Sequence, residues 1–128
     1  MKLLLKIVLS VFIIFLLISA GGIFYISRGV EAGAALEIND VDLSSLKDGS
    51  YSGEYKGGRW TNEVKVKVKD HRIVGVEIVK DVLLPKQEVT AALVNKVLEK
   101  QSPNIDAVSG STVTCKAYLK SIEDALKQ

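Results

Sequence analysis

The first pattern along the chain is an uninterrupted apolar run: residues 7–26 carry no charge and are almost wholly hydrophobic. About twenty helical residues rise far enough to cross a bilayer's hydrocarbon core, so the run predicts a transmembrane helix. Lys2 and Lys6 precede it, which by the positive-inside tendency keeps the N-terminus in the cytoplasm, although Arg28 on the far side weakens the asymmetry. Tyr25 stands where aromatic residues settle at the interface. A signal peptide shares the charged start and apolar run, and Ser19, Ala20, Gly21 and Gly22 resemble a processing region. Ile23, Phe24, Tyr25 and Ile26 continue the apolar stretch past them, so a retained anchor over 1–28 is favoured. Either reading puts the rest of the chain outside the cytoplasm.

Residues 29–46 lose that pattern. Glycines and alanines surround four acids, Glu31, Glu37, Asp40 and Asp42, with no basic residue and no apolar periodicity to bury, so this stretch reads as an acidic linker or stalk. Regular alternation begins beyond it. Tyr51 and Tyr55 share a face if residues 50–55 are extended, and Gly57-Gly58 closes that segment. Val64, Val66 and Val68 alternate with Lys65, Lys67 and Lys69, the clearest period of two in the chain. A turn at residues 69–72 then predicts an antiparallel return over 73–79, with Val74, Val76 and Ile78 on a common face and Gly75 marking a bulge or a place where a ligand needs room. The lysine row reads as a solvated face, with a docking patch for an acidic partner as the alternative. Trp60 is either a core residue near a strand end or a lid over an apolar site.

Helical spacing appears twice. Pro85 stands where a helix can start, and Val89, Ala92, Leu93 and Val97 fit a helix to about Lys100, stopped by Ser102-Pro103. Tyr118, Leu119, Ile122 and Leu126 mark one side of a second helix over residues 115–127. Together these elements predict an α+β fold: a small antiparallel sheet of three to four strands with two helices on one face, occupying 47–128 after the single transmembrane helix.

The second helix is preceded by Asp106, Ala107, Val108, Ser109, Gly110, Ser111, Thr112, Val113 and Thr114. Four side-chain hydroxyls fall within six positions, around a glycine that admits a positive φ and close approach of another molecule. Ser and Thr before a helix are ordinary N-caps. The same arrangement, with unpaired N–H donors at the positive dipole end, also seats a phosphate.

Charge and composition narrow the function. Seventeen basic and fifteen acidic residues leave +2 overall, without the large uniform field of a nucleic-acid binder. From Lys47 onward fourteen basic residues face eleven acidic ones, about +3, against −4 on the linker. The single cysteine, Cys115, excludes an internal disulfide, and with one histidine, His71, no recognisable metal site or imidazole-based catalytic set can be assembled.

From about residue 47 to 126 the chain resembles the FMN-binding domain family, related to the flavin-carrying subunits of sodium-translocating quinone reductase and Rnf complexes. The resemblance is carried by Asp48-Gly49-Ser50-Tyr51-Ser52-Gly53 with Gly57-Gly58, by the strand, turn and return over 64–79, and most specifically by the run from Asp106 to Thr112. That run is similar to a signature of Asp, two variable residues, Ser or Thr, Gly, Ala, and Ser or Thr. Ser111 stands where the family commonly has alanine, and Asp70-His71 replaces an expected Asp-Gly.

The resemblance implies FMN as cofactor, joined through a phosphoester to Thr112 by a separate Mg-dependent flavin transferase that uses FAD. Ser109, Gly110, Ser111, Val113 and Thr114 would surround it, and Asp106 would be read by the transferase or cap the loop. The function implied is an anchored electron carrier between a membrane redox partner and an extracytoplasmic acceptor, with no side chain needed as a catalytic acid or base. Two alternatives stay open: an anchored interaction or sensor module of the same fold without covalent flavin, and reversible FMN binding.

Overall fold

The computed structural model describes residues 1–107 and 111–127. Helix α1, Lys2–Ser27, buries none of its residues against the rest of the chain, and it is long and apolar enough to cross a membrane. Two of its hydroxyls are satisfied within the helix, Ser10 Oγ donating to Lys6 O at 2.8 Å and Ser27 Oγ to Ile23 O at 2.5 Å, as an apolar surrounding favours.

Three antiparallel strands follow in the order β1 (Gly49–Tyr55), β2 (Asn62–Lys69) and β3 (Arg72–Lys80). The valine alternation behaves as expected: Val64, Val66 and Val68 are buried, while Lys67 and Lys69 point to solvent from the uncovered face. Tyr51 and Tyr55 lie half-buried on the valine side, opposite Val66 and Asn62. Asp70 and His71, at φ 52° and 61°, make the two-residue turn whose twist matches a hairpin. Neither is glycine, and the turn is held from outside: Asp70 N–H donates to Asp48 Oδ1 at 2.8 Å, and His71 Nδ1 lies 3.0 Å from the Leu46 carbonyl.

The returning strand departs from the expected face. Pairing shifts between Lys67↔Gly75 and Val68↔Ile73, so Val74 is the extra residue of a bulge. Ile73 is buried and Val74 is exposed, leaving Val76 and Ile78, without Val74, on the inner face. Gln101, in the left-handed region at φ 58° just past the next helix, brackets Ile73, the buried neighbour of the bulged residue. It accepts from Ile73 N–H at 2.6 Å and donates to Ile73 O at 3.0 Å.

Helices α3 (Gln87–Lys100) and α4 (Thr112–Leu126) cover the valine face. Leu93 and Val97 of α3 join Tyr118, Leu119, Ile122 and Leu126 of α4 in one core with Val64, Val66 and Val68. Gly53 allows α4 to lie directly on β1: a Cβ there would sit 2.1 Å from Ser121 O and 2.3 Å from Ala125 N.

The acidic segment is not a free stalk. A short helix α2, Val30–Ala34, packs Gly33 against Val113 on α4. Lys116 Nζ then donates to Ala34 O at 2.7 Å, Lys120 Nζ to Glu37 O at 3.2 Å, and Asn39 N–H to the Glu123 carboxylate at 3.3 Å. Positions 113, 116, 120 and 123 form one stripe of a helix, so the segment lies along α4. Ile38, Val41 and Leu43 complete the contact against the core.

Candidate functional site

Ser111 occupies the N-cap position of α4, and its carbonyl accepts from Cys115 N–H at 2.9 Å. Its hydroxyl makes no capping bond, so the ordinary cap expected of a serine here is not formed. Thr112, the first helical residue, is exposed, with Ser111, Val113 and Thr114 half-buried beside it. No acidic side chain lies in the first turn. A fifteen-residue helix therefore presents its positive end, together with a threonine hydroxyl, to solvent.

That end opens on a groove of about 360 Å³ lined by Val30, Arg59, Trp60, Ser111, Thr112, Val113 and Thr114. Trp60 is both core residue and groove wall: it is 5 % exposed, with the Arg59 guanidinium 4.3 Å from its ring centroid. The Trp60 backbone is held through Asn62, whose Nδ2 donates to Trp60 O at 2.9 Å and whose Oδ1 accepts from Ser121 Oγ of α4 at 2.5 Å. One buried amide thus ties the floor of the groove to the helix whose tip forms its rim.

Arg59 Nε is buried without a hydrogen-bond partner among the described residues. An orphaned guanidinium donor costs free energy unless something completes it. The groove's described lining holds no carboxylate to complete it, a setting that suits an anionic ligand. Burial pushes the nearby Tyr55 phenol above its ordinary range, so it stays a neutral hydroxyl.

The site residues expected from sequence divide into three groups. Ser111, Thr112, Val113 and Thr114 are brought together in the groove. Asp106 is not with them: it is exposed and lines a separate, larger groove of about 630 Å³ with Lys96, Glu99, Lys100, Asn104 and Ile105, which holds none of the four. Ser109 and Gly110 lie outside the described residues. Arg59 and Val30 were not singled out by sequence. No local pattern links position 59 to position 112; the only hint was the placing of Arg59 between Gly58 and an aromatic residue.

An FMN phosphate suits this donor set, since Arg59, the N-terminus of α4 and Thr112 line one groove whose described residues carry no negative charge. Val30, Val113 and Trp60 supply the apolar wall that a ribityl chain and ring system need. No curated protein matches the chain. The profile of the FMN-binding domain family matches residues 56–127, more than half of its length, including the hairpin and the run up to Thr112 but beginning after the Asp48–Gly53 opening. The chain belongs to the FMN-binding domain family, with FMN as its cofactor and an N-terminal helix that fits a membrane-anchored module.

Proposed function

We propose that this protein is a membrane-anchored electron carrier whose FMN is attached through a phosphoester to Thr112, on the extracytoplasmic side of the bilayer. The observation that carries the proposal is the exposed Thr112 at the open end of α4, beside a groove whose free donor belongs to Arg59. Bound FMN supplies one- and two-electron chemistry through its isoalloxazine ring.

The chain's own residues bind and position. Thr112 Oγ1 would be the acceptor of the FMN phosphoryl group from FAD, with AMP and the hydroxyl proton as the groups released. The N-terminus of α4 and Arg59 would hold the FMN phosphate, and Trp60 and Val30 would keep water from one side of the groove. Asp106 stands on its own surface with Lys96 and Lys100, which suits recognition by the transferase better than contact with a phosphate it would repel. The anchor raises the effective concentration at which the carrier meets a membrane redox partner.

The test is an intact-mass measurement on protein co-expressed with a flavin transferase, with flavin fluorescence read on a denaturing gel. A mass increase equal to one FMN less water, lost in Thr112→Val with folding retained, is the expected result. Flavin that leaves on denaturation would replace the covalent reading by reversible binding. A colourless protein under the same conditions would leave an interaction module.

A further inference from the structure

Outside α1, the exposed large hydrophobic residues among those described are few: Val30, Val74, Val79, Leu83 and Leu84. Scattered single residues of this kind are ordinary, but Leu83 and Leu84 are consecutive, 57 % and 66 % exposed, and stand in the connection between β3 and α3. Their backbone is fixed. Val82 is buried with its N–H on Asp81 Oδ1 at 2.8 Å, and Leu83 N–H donates to Arg59 O at 2.8 Å. Lys80 and Lys86 flank the pair and are exposed, and Asp81, the acid between them, is engaged by Tyr118 Oη.

The point of attachment indicates the occupant. Arg59 follows Gly58, which lies so near the end of the apolar helix that a Cβ there would come 2.8 Å from Arg28 O. Gly29 packs on the same turn, 3.1 Å from Gly57 O and 3.7 Å from Trp60 by the same measure. The turn at Gly58–Trp60 therefore touches the chain where it leaves α1 and, through Arg59 O, holds the leucine pair. An apolar pair flanked by lysines, fixed beside the exit of a spanning helix, has the chemistry of an interfacial anchor.

We propose that the Leu83-Leu84 loop is a second membrane contact, entering the boundary between headgroups and acyl chains of the bilayer that α1 crosses, with Lys80 and Lys86 facing anionic headgroups. The proposal rests on the reading of α1 as a membrane anchor. With two contacts, α1 and the loop, the domain has a defined tilt, and the Thr112 groove, whose wall includes Val30, is held at the membrane surface.

The test uses the full chain in nanodiscs of mixed phosphatidylcholine and phosphatidylglycerol, with a polarity-sensitive fluorophore on one introduced cysteine at a time: Phe15→Cys, Val74→Cys or Leu84→Cys. The unsubstituted chain, whose Cys115 is buried, is the blank. The expected result is blue-shifted emission at 84, quenching there by shallow nitroxide lipids, and iodide quenching several-fold weaker than at 74. A probe at 84 quenched by iodide as strongly as at 74, while the probe at 15 is quenched by deep nitroxide lipids, overturns the loop contact and leaves the anchor standing. A probe at 15 that no lipid quencher reaches overturns both.

Discussion

At its C-terminal end α4 is enclosed on two sides: Ile122, Ala125 and Leu126 face the sheet, and Glu123 holds the segment that returns from α1. At its N-terminal end Thr112 is exposed, and Ser111 leaves its hydroxyl unused for capping. One helix thus divides its work between an end that fixes it and an end that is presented. Substitutions near residue 123 should cost stability, and substitutions near residue 112 should cost cofactor with the fold left alone.

The largest effect on the fixed half is expected from Gly53→Ala, because the added methyl meets the α4 backbone and no side chain can move aside. Overpacking of this kind costs about 3 kcal/mol or more. Denaturant unfolding of the detergent-solubilised chain measures it, and flavin content should fall too as the helix is lifted. A loss within experimental error would mean that the tip of α4 does not depend on this contact.

Glu123→Gln should cost about 1–2 kcal/mol, since Lys120 and Lys127 remain partly hydrated when the charge is removed. Burial pushes the Glu123 carboxyl up, but Lys127, Lys120 and Asn39 together outweigh burial and hold it below its ordinary 4.5. A carboxyl depressed on folding stabilises above its unfolded value and loses that contribution as pH falls through the folded one. The gap between wild type and Glu123→Gln should therefore be full at neutral pH and close below about 4.5. A gap unchanged in acid would assign the effect to shape and not to charge.

Tyr118→Phe is a milder probe, about 1 kcal/mol, because Asp81 stays solvated when its phenol partner is removed. Burial, helped by Asp81, raises the Tyr118 phenol from 10.0 to about 12. A raised value in the folded state gives stability that is complete below the unfolded value of 10.0 and is lost as pH climbs towards about 12. The Phe variant should lack that alkaline loss, seen by unfolding at increasing pH. Smallest in stability is Thr112→Val, within about 0.5 kcal/mol of wild type. Its loss of covalent flavin with unchanged unfolding would complete the contrast between the two ends.

Legibility followed the range of the interactions. The valine alternation of β2 and the apolar side of α4 are local patterns, and β2 forms where its pattern places it; α4 begins three residues before the expected 115, so Thr112, Val113 and Thr114 lie in its first turn and not ahead of it. The bulge at Val74 is a shift of one residue, which moves a side chain to the other face without changing composition; Gly75 was its only mark. The docking of residues 29–46 could not be read from periodicity, because lysines of α4 hold backbone carbonyls, which every residue has. The Thr112 hydroxyl was legible from its neighbours. Arg59 was not, since it reaches the groove through the packing of a turn fifty residues upstream.

The segment along α4 also sets how far the FMN-binding domain reaches from α1. Drawn out straight, roughly eighteen residues would let a cargo roam some 60 Å from its mooring. Folded back on the helix, they form a collar instead of a leash. In the proposed carrier any donor or acceptor would have to travel to the flavin at a nearly constant height above the lipid, and lengthening this segment would not extend its range unless the bonds from Lys116, Lys120 and Glu123 were broken as well.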